Sequence, residues 1–327
     1  MTLILREDDV RAVLTMPDTL TVLDAAFRAD TRNVPRTRIV IPPARGVLHV
    51  LSAYVPGIPG DPLAEGPGLI GLKTYVGVPG KVRFAILLSD AGTGEMLAII
   101  EADLLGQMRT GGASGVATRH MARPDATSLG VIGTGQQART QMRAVAAARE
   151  VRSARVYGRD AARRETFATE MGAALGIPVA ASETAEEAVR EADIIVTMTT
   201  SYDPVLRGEW LKPGAHVNAA GSNWATRREV DDITVERAAV VAVDDVEQAK
   251  LEAGDLILPA SLGRFEWSRA VELADIVAGK TTGRPSADAI TLFKSIGIGV
   301  EDIAVAGLVY RLAVERRLGE VLPSFLP

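Results

Sequence analysis

Leu129-Gly-Val-Ile-Gly-Thr-Gly-Gln-Gln-Ala138 is the stretch that decides the fold. Its apolar start reads as a short strand, its glycines as a tight turn, and Gln136 to Ala148 as a helix. Gly133 permits the turn, Gly135 removes the Cβ that would block a pyrophosphate, and Ala138 lets the helix lie close on a sheet. Phosphates would then meet free N–H groups at the positive end of the helix. A lone Gly-x-Gly-x-x-Ala also fits an ordinary glycine turn. Here a strand precedes it, a helix follows, and the next strand ends at Tyr157, so the dinucleotide site is the better account.

Towards the C terminus the same alternation continues. Strands are expected at 128–132, 154–157, 179–181, 193–199, 216–220 and 240–243, and helices at 136–148, 161–175 and 183–191. Strands alternating with helices imply α/β architecture, a doubly wound parallel sheet of Rossmann type covered on both faces. Towards the N terminus the pattern is different. Short helices at 8–14 and 17–28 precede strand-like runs at 38–41, 48–54, 69–76, 82–88 and 96–100, which suggests a smaller α+β module. The Pro/Gly-rich stretch 56–68 reads as a loop near the site. An amphipathic helix at 300–318 carries Ile303, Leu308 and Leu312 on one side. The expected division is 1–118, completed by 301–327, as a substrate and dimerisation domain, with 119–300 as the dinucleotide-binding domain.

Composition excludes several classes. The 327 residues include no cysteine, so thiolate nucleophiles, disulfides and Cys-ligated zinc are out. His49, His120 and His216 form no metal-ligand spacing, no metal site is expected, and His216 reads as structural. A net charge of −5 without a basic block, and 4% aromatic residues, argue against nucleic acid as a partner. No apolar run approaches the roughly 20 residues of a membrane span. The opening MTLILREDDVRAVL lacks a signal-peptide layout, and the expected address is cytoplasmic.

Gly71-Leu-Lys73, Leu88-Ser-Asp-Ala-Gly-Thr-Gly-Glu95, Met108-Arg-Thr-Gly-Gly-Ala-Ser-Gly-Val-Ala-Thr118, Pro213-Gly-Ala-His-Val-Asn-Ala-Ala-Gly-Ser222 and Thr291-Leu-Phe-Lys-Ser-Ile-Gly-Ile-Gly-Val-Glu-Asp302 join the glycine turn in a second signal. In this order the blocks resemble the ornithine cyclodeaminase/mu-crystallin family. The resemblance implies a homodimer and hydride exchange between a nicotinamide and a carbon bonded to nitrogen beside a carboxylate. The expected reaction is reduction of a cyclic ketimine of pyrroline- or piperideine-carboxylate type. The alternatives are ornithine cyclodeamination with recycled NAD, or non-catalytic binding of NADPH and a small ligand.

The site residues follow from both signals. Lys73 lies in an apolar strand, where a lysine is expensive to bury; it is either a solvated strand residue or an ammonium aimed at the substrate. It matches the family's substrate-binding lysine. Arg109 suits a carboxylate because its guanidinium grips with two prongs, and it matches an arginine touching both substrate and cofactor. Arg36 matches another carboxylate-binding arginine, with Arg38 its rival if the register differs by two. Asn223 stands at a catalytic place where cyclodeaminases carry an aspartate; an amide cannot trade a proton near neutral pH, which weakens deamination. Asp231 and Asp232 read as helix caps. The resemblance carries cofactor contacts onto Thr110, Gln136, Gln137, Thr199, Ala220, Gly221, Ser222, Arg227 and Ser295, and a substrate contact onto Ile296, for which core packing is the plainer account. At the end of the second strand Arg159 stands where an acid would bind a free ribose 2′-OH, so NADP(H) is favoured over NAD(H).

Overall fold

The computed structural model describes residues 2–41, 46–57, 66–78 and 81–322. Most of the Pro/Gly-rich 56–68 loop lies outside the described residues. The chain begins with β1 (Thr2–Leu5), α1 (Glu7–Val13), α2 (Met16–Arg28), β2 (Arg32–Ile41), β3 (Gly46–Val55), β4 (Leu69–Val78), β5 (Lys81–Asp90), β6 (Met96–Glu101) and α3 (Asp103–Met121). Next come β7 (Ser128–Ile132), α4 (Gln136–Ala148), β8 (Ser153–Tyr157), α5 (Ala161–Leu175), β9 (Val179–Ala181), α6 (Ala185–Val189), β10 (Ile194–Thr197) and β11 (His216–Ala219). They are followed by α7 (Asp232–Arg237), β12 (Ala238–Val243), α8 (Val246–Glu252), α9 (Gly254–Ser261), β13 (Ala270–Glu272), α10 (Leu273–Val277) and β14 (Ile290–Lys294). The chain closes with α11 (Gly299–Arg316) and β15 (Glu320–Leu322). Two compact units result, one of Met1–Arg109 with Ile298–Pro327, the other of Thr110–Gly297.

In the first unit the sheet order is β15-β1-β6-β5-β4-β3-β2, antiparallel except where β1 runs parallel to β6. β3 shows the alternation of a half-covered sheet, with His49, Leu51, Ala53 and Val55 buried and their neighbours partly exposed. α11 packs on the buried face against β3, β4 and α2. β2 begins well before the expected Arg38, because a register shift between Val34 and Thr37 accommodates Pro35 within a strand.

The second unit is a parallel sheet in the order β13-β12-β14-β11-β10-β7-β8-β9. From β7 the chain winds outward through β8 and β9, then returns to β10 on the other side. The carboxyl ends of β7 and β10 therefore flank the point where winding reverses, the usual ligand crevice of such sheets. At the opposite end, Asp193 enters β10 as a brace. Its carboxylate accepts from Thr127 N–H (2.9 Å), Ser128 N–H (3.0 Å) and Ser128 Oγ (2.8 Å), and pairs with Arg123 (2.6 Å) and Lys212 (2.9 Å). Burial acts to raise this carboxyl, but the bonds from Lys212, Thr127 and Ser128 outweigh it and hold it well below the ordinary value. Asp193→Ala should therefore lose about 3 kcal/mol. A depressed folded pKa gives stability that is present above the unfolded aspartate value of about 3.9 and lost as pH falls towards the folded one. Denaturant titrations on the acid side should show that loss in the native chain and less of it in the variant; equal slopes would refute the assignment.

The expected pattern lacks β1, α3, α8, α9, β13, α10, β14 and β15, and two of these, α3 and β14, show why. α3 reads as no helix because it is buried on nearly every side, so it has no amphipathic period, and four glycines lower its propensity. One of these, Gly111, lies so close to α4 that a Cβ would meet the Thr140 carbonyl oxygen at 2.6 Å. β14 is similarly fully buried, central in its sheet, and too short to declare itself by alternation.

Candidate active site

The second unit presents a cleft of about 690 Å³ at the β7 end, lined by the turn 133–135, the β8 end 157–160 and the β10 exit 198–201. Gly133 adopts φ +118° and donates its N–H to the Tyr157 carbonyl at 2.8 Å. A Cβ there would stand 2.2 Å from the Met198 carbonyl oxygen, so only glycine fits. Gly135 differs. It is the N-cap of α4 with φ −85°, and a Cβ added to it would meet nothing within 4 Å. Its bareness serves nothing inside the chain and matches a cradle for a ligand. No acidic residue occupies the first turn of α4, which leaves the helix N-terminus positive. These features fit a dinucleotide diphosphate. Arg159 is exposed at the β8 end of the cleft, while Asp160 caps α5 by accepting the Arg163 N–H at 2.9 Å. Gln136 lines an adjoining cavity of about 620 Å³ with Arg139 and Arg163, and Gln137 is half-buried beside it in sequence.

The first unit holds a buried cluster of charges. Lys73 on β4 is 2% exposed, and its Nζ lies 2.8 Å from Asp302 Oδ1. Arg109 on α3 pairs with Glu301 at 2.7 Å and with Asp302 at 2.9 Å. Both acids come from the first turn of α11, where the helix dipole favours carboxylates. Burial and then the Arg109 charge bring the Lys73 ammonium down to about 8, with Asp302 opposing them. Arg36 is buried and Arg38 half-buried; the charges of both act on His49 and Tyr75, and that of Arg36 on Lys73 as well. Register sets Arg38, His49, Tyr75 and Phe84 in one row across four strands. The His49 and Tyr75 rings stack at 4.2 Å, and burial, then Arg38 and Arg36, holds His49 down at about 4 and hence neutral. Neither acid nor the aromatic row was singled out from the sequence. Glu301 and Asp302 look like ordinary first-turn acids until tertiary packing buries them.

The remaining candidates are distributed as follows. Thr199 lines the cleft, and Ala220, Gly221 and Ser222 form the exit of the neighbouring β11. Asn223 is half-buried in that exit. Arg227 lies over the rings of Tyr202 (4.4 Å) and Trp224 (5.7 Å) and donates to the Tyr202 hydroxyl. Thr110 is buried in α3, its carbonyl accepting from Gln141. Ser295 donates its N–H to the Ala219 carbonyl at 3.0 Å, and Ile296 belongs to the apolar core with Val243 and Leu256. Asp231 caps α7 through Thr234. His216 is fully buried between Thr291 and Asn218, and burial pushes it down to about 3, which keeps it neutral. Among the described residues no group of three His, Cys, Asp or Glu side chains is set to hold a metal.

A doubly wound sheet with a bare glycine cradle at its reversal point, in a chain that also carries a buried lysine and arginine cluster, defines an NAD(P)-dependent enzyme. The chain belongs to the ornithine cyclodeaminase/mu-crystallin family, whose model matches residues 1–317. It is 41% identical over 266 residues to a Delta(1)-pyrroline-2-carboxylate reductase of Bacillus cereus, covering 79% of this chain and 82% of that one. It is 32% identical to the ketimine reductase mu-crystallin of Mus musculus over 84% of this chain and 83% of the other. Among solved structures, Thermococcus litoralis Delta(1)-pyrroline-2-carboxylate reductase with NADH and L-proline superposes with a TM-score of 0.89, at 33% identity, over 98% of this chain and 100% of that one.

Proposed function

We propose that the protein reduces a cyclic ketimine acid, of pyrroline- or piperideine-carboxylate type, with NADPH preferred over NADH. The observation that carries the reading is the buried Lys73–Asp302–Arg109–Glu301 cluster, in which a lysine held at about 8 can give up a proton near neutral pH. Arg109 and Arg36 supply guanidinium forks for the carboxylate. Lys73 offers its ammonium to the imine nitrogen, and Asp302 keeps that ammonium aimed and charged. The reduced nicotinamide, when bound, supplies the hydride that adds to the imine carbon, as the nitrogen takes up the proton. Asn223 has no part in proton transfer, which makes cyclodeamination of ornithine the weaker reading. The named relatives, pyrroline-2-carboxylate and ketimine reductases, lend the substrate class further support. Incubation with NADPH and either imine should consume nicotinamide absorbance. Release of proline and ammonia from ornithine, without net cofactor consumption, would instead favour the cyclodeaminase.

Cofactor choice is proposed to rest on Arg159, exposed at the end of β8, with the neighbouring Asp160 engaged as the cap of α5. Arg159→Leu should raise KM for NADPH about tenfold and leave KM for NADH nearly unchanged. Equal effects on both would remove Arg159 from the 2′-phosphate. A homodimer fits the outer face of the first unit's sheet, opposite Lys73, where Val34, Ile39, Ile70 and Val76 are 43% to 53% exposed. Light scattering that returns a monomer would remove that reading. The cytoplasmic address remains part of the proposal, and among the described residues no helix is long and apolar enough to cross a membrane.

A further inference from the structure

Behind the cleft, three fully buried charges tie together the exits of successive strands. Glu229 accepts from Thr199 N–H (2.6 Å), Thr199 Oγ1 (2.8 Å), Gly221 N–H (2.6 Å) and Thr197 Oγ1 (3.1 Å). One carboxylate thus joins the end of β10 to the loop leaving β11. Lys294, at the end of β14, donates to the carbonyls of Ser222 (2.6 Å) and Ala219 (3.3 Å) and pairs with Asp255 at 2.9 Å. Asp255 in turn accepts the backbone N–H groups of Glu229 (2.6 Å) and Val230 (2.9 Å). Gly221 must be bare for this, since a Cβ would stand 2.3 Å from Thr199 N and 2.5 Å from Glu229 Oε1. Burying three ionisable groups where an apolar core would hold the fold as well asks for a reason.

Strand order supplies one. β8 lies on one side of the Gly133 turn and β10, β11 and β14 on the other. A dinucleotide whose diphosphate rests on that turn, with its adenosine towards β8, must carry its nicotinamide towards the exits that Glu229 and Lys294 brace. From this geometry we infer that Glu229, backed by Asp255 and Lys294, is the positioning residue of the nicotinamide subsite, fixing the 199–201 and 220–222 backbone against which the ring is seated. The inference rests on the nicotinamide reading proposed above. Glu229 touches no ligand in this account; it acts through Thr199 and Gly221.

The test compares NADH with ADP-ribose, which shares everything except the ring. Glu229→Gln keeps the shape but turns an NH2 group towards at least one backbone donor. Calorimetry should find NADH bound about tenfold more weakly, with ADP-ribose affinity changed by less than about twofold. Thr197→Val, a buried near-isostere that does not line the cleft, should give the same selectivity at about threefold, and it stands in should E229Q fail to fold. Parallel losses for both ligands, or no loss for either, would overturn the inference. A native protein that bound neither these two ligands nor NADPH would fell the nicotinamide reading first, whereas native binding with an unselective variant removes this inference alone.

Discussion

Lys73→Met should lower kcat/KM for ketimine reduction by about a thousandfold while leaving NADPH affinity unchanged. Methionine keeps most of the packed volume but removes the proton and the charge next to Asp302. The effect belongs in kcat, because Arg109 stays to hold a carboxylate. The pH behaviour adds a second, independent mark. With the ammonium brought down to about 8 by burial and Arg109, activity should decline as pH rises through that value. Stability should move the other way. An unfolded lysine titrates near 10.4, so between about 8 and that value the native state binds fewer protons than the unfolded chain, and stability rises with pH. K73M should lose both trends. A variant that kept a tenth of the native rate would place the proton donor elsewhere.

The two turn glycines should fail in different ways. Gly133→Ala forces a side chain into φ +118° and 2.2 Å from the Met198 carbonyl oxygen, so both stability and cofactor binding should go. A loss of about 2–4 kcal/mol is expected, read as a fall in the unfolding midpoint. Gly135→Ala meets nothing within 4 Å and keeps an ordinary φ, so its unfolding should match that of the native chain. Its dinucleotide affinity should nonetheless drop about a hundredfold, since the added methyl occupies the space a diphosphate needs. Native-like binding by G135A would show that no diphosphate lies there. Together the variants separate a turn required by the fold from a surface kept clear for a ligand.

Most of the dinucleotide-binding unit was legible because its signals are local. Most strands of that sheet up to β12 are short, mainly apolar runs between turn residues, and each helix from α4 to α6 has a polar face. Gly133 could be assigned from its neighbours because a turn is decided within a few residues. α3 and β14 were hidden by their own burial, since an element covered on all sides has no periodic contrast to read. The candidate site was half legible. Lys73 stood out as a charge in an apolar strand, and Lys294 bears the same mark in the run Thr291-Leu-Phe-Lys294, which could have drawn notice.

By itself, then, the amino-acid order determined the alternating pattern, the glycine turn, the absence of cysteine chemistry and the family resemblance. All depend on neighbours a few positions apart or on composition. Only the tertiary structure decided that Asp302 meets Lys73 across 229 positions, that Arg109 is held by Glu301, and that Glu229 gathers the exits of two strands. The physical reason is that an ionisable side chain declares its role through burial and partners, and both are created by chain segments that meet only when the protein folds.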